Sequence, residues 1–447
     1  ARRTLYISWA GRHVRDNSEQ PPSVLVSQLR DYLAAGWIGE GAQNLKLADQ
    51  GKLLLTQHTQ AHPLQPFSRR YFEAQTDLST YAREWHAAHE QNEKKPVQTV
   101  APYLPDASVP ITLARLTDFL RNPARAFLRS RLLVRFEQED EVVEDDELFN
   151  VDGLMAYGLV QQLQQGVRAQ LVQSTAATQV QTQVKNQVQR FMRAGVLPLA
   201  GLGQREAAAL QSQVTPSLLA WQQQMQQWPH VAPRQRLLLR DGDLVLDDWI
   251  DGLRERDDAI TVGDAEQADS YTSCWFALEP RSLLGKDGKP QLYKLLPIYV
   301  RSLALAATGA KSLMAVIARD ALLWVVPMDK EAAQKQLQAL MLVWLEGQNK
   351  PLPLPLKTAI AAANGNLQAA TTAYEGSYTM GGEHDDASWA RCYPGWEDLL
   401  ADLSFEQLSI SVYGPMHDWL GQHVLTDELP ASMDDEAADN SVVGEDA

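Results

Sequence analysis

The chain has 447 residues, 45% of them hydrophobic, which is enough for two or three domains that each bury a core. Two cysteines without ligand spacing, Cys274 and Cys392, argue against a disulfide framework or zinc site, and no apolar run approaches the roughly 20 residues that span a bilayer, so a cytoplasmic protein without membrane contact is expected. The net charge of −16 does not exclude nucleic acid, because thirteen acids and no base follow Arg391, leaving 40 basic and 43 acidic groups in residues 1–391.

In chain order, Leu5-Tyr6-Ile7-Ser8-Trp9 predicts a strand from Thr4 to Trp9. A strand needs a sheet, so the natural protein is expected to extend upstream. After Pro21-Pro22 a helix is expected from Ser23 as N-cap to Gly36 as stop, with Leu25, Leu29 and Leu33 on its buried face. This first domain is placed at residues 1–75. Residues 76–110 turn polar and then proline-punctuated at Pro96, Pro102, Pro105 and Pro110, as a connector does.

A second domain is expected over 111–432. Leu113, Leu116, Phe119 and Leu120 share one helical face, and Asn122-Pro123 ends that helix and begins another with proline at its first position. Six arginines fall between Arg115 and Arg135. Arg121, Arg125 and Arg129 are four apart, one stripe on a helix, and with Arg131 they are the candidate DNA-binding residues, since a guanidinium grips phosphate through two parallel hydrogen bonds. The competing reading is a surface helix neutralised by the acidic run Glu137–Glu147, itself read as a solvated loop rather than a metal site.

Residues 154–228 read as a glutamine-rich helical insertion whose apolar stripe is Val180, Val184, Val188 and Phe191. Strands follow around Leu237–Leu253 and Trp275–Leu278, then a helix over Leu292–Thr308. Two apolar runs, Leu313–Ile317 and Ala321–Met328, are split by Arg319-Asp320, and Asp329 caps a further helix. Such alternation predicts a mixed α/β domain. Residues 433–447 carry six acids and no base, and a disordered tail is expected there.

The opening Leu5-Tyr6-Ile7-Ser8-Trp9-Ala10-Gly11-Arg12 resembles the last motif of superfamily-one helicases, Leu-Tyr-Val-Ala-x-Thr-Arg-Ala, with Gly11 where that family has its phosphate-contacting arginine and Arg12 one place late. Three later stretches resemble the RecC family: Leu116-Thr117-Asp118-Phe119 with Pro123, Phe127 and Arg131-Leu132; Gly195-Val196-Leu197-Pro198 with Gly201 and Gly203; and Pro351-Leu352-Pro353-Leu354-Pro355-Leu356-Lys357-Thr358. Gly382-Glu383 and Arg391 fit the same order. The resemblance covers nearly the whole chain. It implies the end of a degenerate helicase domain followed by a catalytically dead restriction-endonuclease-like domain. It also implies a heterotrimer with RecB and RecD and contact with double- and single-stranded DNA, whose strands such a subunit splits and guides in support of Chi recognition.

The nuclease fold implied by the resemblance works with an Asp on one strand and a Glu/Asp-x-Lys on the next, holding Mg²⁺. The matching positions are Asp251 and, in Glu279-Pro280-Arg281, Glu279 and Arg281. Proline removes a ladder donor, and arginine does not reproduce the geometry of lysine. A literal Asp-x-Lys at Asp287-Gly288-Lys289 reads as an exposed turn. There is no phosphate-cradling Gly-x-x-x-x-Gly-Lys loop, no His-Glu-x-x-His, and no Gly-x-Ser-x-Gly, while His58 and His62 read as surface histidines. No catalytic residue, metal or cofactor is expected. Trp221, Trp228, Trp249 and Trp275 are core aromatics or base-stacking platforms. An active Mg²⁺ nuclease and a scaffold that never meets DNA stay open as alternatives.

Overall fold

The computed structural model describes residues 3–13, 18–73, 78–86, 100–136, 149–171, 177–262, 269–378 and 380–429. They fall into two compact units, Ala1–Thr99 and Val100–Ala447. The acidic run Glu137–Glu147 and the tail 433–447 lie outside the described residues.

In the first unit, helices α1 (Val24–Gly36) and α2 (Leu47–Gln57) pack together. A Cβ on Gly51 of α2 would stand 2.9 Å from the Ala34 Cβ of α1, so the close approach requires glycine. Two expectations fail here. Residues 4–9 form no strand among the described residues, and Leu5 and Tyr6 are exposed; a strand exists only through hydrogen bonds to a neighbour, and none of the described residues supplies them. The α1 limits match the prediction within a residue, but its leucine face is not buried, with Leu25 77% exposed and no helix residue buried. Periodicity marks a face without supplying what covers it.

The second unit is built on a six-stranded sheet, in spatial order β1 (His230–Val231), β4 (Leu253–Val262), β5 (Asp269–Leu278), β6 (Ser312–Ile317), β7 (Leu322–Val325) and β8 (Val424–Asp427). All pairs are antiparallel except β5 with β6, whose parallel pairing needs the crossover helix α8 (Leu292–Ala307). A separate ribbon, β2 (Gln235–Asp241) and β3 (Leu244–Ile250), closes through Gly242 at φ +57°.

Both faces of the central strands are covered. Met314 and Val316 join a main core with α3 (Leu113–Arg121), α8, α9 (Lys330–Gly347), α10 (Leu356–Ala363) and α14 (Phe405–His423). Leu313, Ala315 and Ile317 point the other way, onto Trp221 and Trp228. This alternation explains why the run Leu313–Ile317 is apolar throughout. The glutamine-rich insertion forms α5 (Gly153–Leu171), α6 (Ala177–Arg193) and α7 (Ala200–Gln227) around its own core of Leu163, Val180, Val184, Val188, Val214 and Leu218. The end of α7 then lays Trp221 and Trp228 edge-on against Phe276 of β5. Asp329 caps α9, accepting from the N–H groups of Glu331 and Ala332. The end of the proline-punctuated stretch is not free, since Tyr103 packs on Trp344 of α9.

Candidate functional site

Asp251 lies in the two-residue link between β3 and β4, where the following Gly252 takes φ +86°. The strand facing β5 is therefore β4, not the stretch Leu244–Ile250 that precedes Asp251. Leu253 pairs with Trp275, and the Trp275 indole donates to the Asp251 carbonyl at 2.9 Å. The Asp251 side chain itself is exposed.

At the far end of β5, Glu279 continues the ladder by one bond, its N–H meeting the Ile317 carbonyl at 2.8 Å. Pro280 has no N–H and stops it. Arg281 turns back, and its Nε donates to Glu279 Oε1 at 2.7 Å, with Glu279 at 18% and Arg281 at 39% side-chain exposure. That bond, above all, pushes the Arg281 pKa up. The segment is then fastened to the β6–β7 turn. Both Asp320 oxygens accept backbone N–H groups, from Leu283 and Leu284, at 2.9 Å. Ser282 accepts twice: its carbonyl from Lys294 Nζ at 2.7 Å, and its hydroxyl from Arg319, whose Nη2 lies at 2.9 Å. Among the described residues no three His, Cys, Asp or Glu side chains are arranged to hold a metal ion.

Asp287-Gly288 forms a turn, with Gly288 at φ +71° and Asp287 accepting from the Lys289 N–H at 3.2 Å. In the first unit, Arg12 is half-exposed and pairs with Glu19 at 3.3 Å, and the Gly11 carbonyl accepts from Gln20.

The arginine stripe is not one surface. Arg121 ends α3, whereas Arg125, Arg129 and Arg131 belong to α4 (Pro123–Arg131). The break follows from Asn122, which at φ −156° caps α4 through the Arg125 N–H, with Pro123 as its first residue. Arg121 pairs with Asp118 at 3.4 Å. Arg125 is bound to Asp386. Arg131 donates to the carbonyls of Gln348 and Ala101 and lies over the Tyr103 ring. Arg129 is exposed and has no side-chain partner among the described residues.

Three of the four tryptophans are packing residues: Trp221, Trp228 and Trp275 are all under 9% exposed. Trp249, on the ribbon, is 44% exposed, with Arg234 stacked at 4.1 Å. Sequence reading missed Lys294, Arg319 and Tyr293, which the fold brings beside Arg281. The one available signal was Arg319-Asp320 interrupting two apolar runs.

These features define a mixed α/β domain with a helical insertion. Residues 109–366 match the family described as RecC C-terminal domain, more than half of the chain, and the chain belongs to that family. It is 28% identical over 415 residues to the RecBCD enzyme subunit RecC of Escherichia coli (strain K12), covering 88% of this chain and 33% of that protein. Against the RecBCD enzyme subunit RecC of Mycobacterium tuberculosis (strain CDC 1551 / Oshkosh) it is 25% identical over 382 residues, 81% of this chain and 30% of that one. The Haemophilus influenzae subunit of the same name is 31% identical over 168 residues, 36% and 14% of the two chains. The chain thus spans about a third of the length of the Escherichia coli relative.

Proposed function

We propose that this chain is the C-terminal part of a RecC-type subunit of exodeoxyribonuclease V, a non-catalytic, cytoplasmic, DNA-handling and assembly subunit that joins RecB and RecD in a heterotrimer for double-strand-break repair. In this reading residues 1–75 are the remnant of a helicase-like domain, 76–110 a linker, and 111–432 a nuclease-like domain without its chemistry. Guiding separated strands and supporting Chi recognition are its tasks, with Arg121, Arg125, Arg129 and Arg131 its candidate phosphate contacts, of which Arg121, Arg125 and Arg129 are exposed.

The observation that carries this reading is the Glu279-Pro280-Arg281 corner. A nuclease of the resembled fold needs a lysine free to orient water beside a metal-binding carboxylate. Here the strand ends at Pro280, and the following cation is tied to that carboxylate. No helix among the described residues is long and apolar enough to cross a membrane.

The test combines binding, digestion and assembly. The purified chain should shift linear DNA in a gel, leave it intact with Mg²⁺ or Mn²⁺, and co-purify with co-expressed RecB and RecD. Degradation that disappears in Asp251→Ala would establish an active nuclease instead. Assembly without any DNA binding would establish the pure scaffold.

A further inference from the structure

We propose that the segment Glu279–Leu284, the start of α8 and the β6–β7 turn form a binding site for a phosphodiester of a DNA strand, with Arg281, Lys294 and Arg319 as its cations. The inference rests on the DNA-handling reading above and assigns it a location.

The three cations converge on one short segment. Lys294 and Arg319 both bond Ser282, and the Arg319 N–H reaches the Arg281 carbonyl at 3.3 Å. Neither Lys294 nor Arg319 has a carboxylate within ion-pair distance among the described residues. The two nearby acids are engaged, Glu279 by Arg281 and both Asp320 oxygens by backbone N–H groups. Lys294 spends one donor on a carbonyl, and Arg319 faces only a hydroxyl. Donors are therefore left over in a half-buried place, where unmatched cations are costly.

The backbone adds positive charge of its own. Lys294 stands in the first turn of α8, a 16-residue helix with no acid in that turn and no side-chain cap on Gln291. A cation at a helix N-terminus opposes the helix dipole. Burial first, then Arg281 and Arg319, lowers the Lys294 pKa, partly offset by Asp320 and Glu279. An anion with several oxygens would relieve each of these strains at once. The position suits a ligand, since the parallel strands β5 and β6 both end here, and the carboxyl ends of parallel strands are where α/β sheets commonly take ligands.

Aromatic rings argue for a nucleic-acid strand over a free phosphate. The Tyr293 ring lies 5.9 Å from Lys294 Nζ and 5.0 Å from Lys357 Nζ. Cations interleaved with aromatics track a strand and stack its bases. Fixed cations neutralise the phosphate without activating water, so the site holds a strand and does not cut it.

The test uses the full 447-residue chain and a labelled oligothymidine, with anisotropy measured across a KCl series. Lys294→Gln with Arg319→Gln should lower the slope of log affinity against log salt by about 1.4, roughly 0.7 per lost contact, while Lys294→Arg with Arg319→Lys should keep it. If the glutamine pair unfolds, Glu279→Gln decides, because removing that negative charge should tighten binding several-fold and an unchanged or weaker affinity overturns the site. Normal wild-type binding with an unchanged slope in the glutamine pair overturns the site and leaves the DNA-handling reading standing. A wild-type chain that binds no DNA overturns both. Inorganic phosphate that raises the wild-type melting temperature but not that of the glutamine pair, with strand binding equal in both, would mean a small-anion site and overturn the strand assignment.

Discussion

Arg281 donates from Nε to the Glu279 carboxylate at 2.7 Å across the intervening Pro280, at the corner where β5 leaves the sheet. The energetics of this pair are measurable. Arg281→Ala should destabilise the chain by about 1–2 kcal/mol in urea unfolding, a figure held down by the exposure of the guanidinium. A double-mutant cycle with Glu279→Gln should return a coupling above about 0.3 kcal/mol; strict additivity would mean that the contact is incidental.

Glu383 accepts from the N–H groups of Lys357 and Thr358 and from the Thr358 hydroxyl, at 2.8–3.0 Å, at the start of α10. Glutamine keeps one acceptor oxygen and turns the other into a donor. Glu383→Gln is therefore expected to cost about 1–3 kcal/mol, and a variant as stable as the parent would contradict this geometry.

Burial raises the Glu383 pKa, although those three hydrogen bonds pull it down. The folded state then holds this proton more tightly than the unfolded state does. Its contribution to stability is largest below the ordinary glutamate value of 4.5 and declines as pH rises from there through the folded-state value. Subtracting the stability–pH curve of Glu383→Gln from that of the parent should show this decline; a difference that rises with pH in that window would reverse the assignment.

Asp386 should behave in the opposite sense. Burial works against its charge, but the Arg125 ion pair and the Ser388 N–H outweigh it and hold its pKa below the ordinary 3.8. Its contribution is present at neutral pH and lost as pH falls through that lowered value. Asp386→Asn should flatten the acid limb of the stability curve and, because asparagine caps α12 (Ala387–Cys392) as well as aspartate does, cost no more than about 1 kcal/mol at pH 7, through the lost Arg125 ion pair. Identical acid limbs would show that the Arg125 contact adds nothing.

Gly382 permits the chain before Glu383 to cross the end of α11 (Leu367–Glu375). A Cβ there would overlap the Tyr374 carbonyl oxygen and stand 2.5 Å from the backbone of Glu375 and Gly376. Because the obstacle is backbone, Gly382→Ala is expected to lower stability by about 1–3 kcal/mol, seen as a lowered denaturation midpoint. A neutral effect would mean that this crossing is loose.

Much of the second unit was legible as local pattern. Leu116 and Phe119 on one helical face, Asn122-Pro123 as a helix boundary and Asp329 as a cap all express preferences that neighbours in sequence settle by themselves. The valine stripe Val180, Val184 and Val188 told equally of a buried face. Strand β4 was not legible, since Arg254-Glu255-Arg256-Asp257-Asp258 carries no apolar alternation, and the strand forms because β5 lies beside it, with a register irregularity between Glu255 and Ile260. Strand β8 likewise exists through its pairing with β7, about a hundred residues earlier.

The sequence alone determined the family, through the order of its motifs, and the identity of the residues at the corner after β5, Glu279, Pro280 and Arg281. It could not decide what those residues touch. Three of the candidate arginines look equivalent at a spacing of four, yet a single kink at Asn122 puts Arg121 on another helix, and Asp386, 261 positions from Arg125, takes that guanidinium. Conversely Lys294 and Arg319 carry no shared pattern and meet only because β5 and β6 run parallel, which brings the strand end, the start of the crossover helix and the following turn to one edge. Hydrophobic period and caps are short-range signals; charge pairing depends on which chain ends the sheet brings together, and only the tertiary structure decides that.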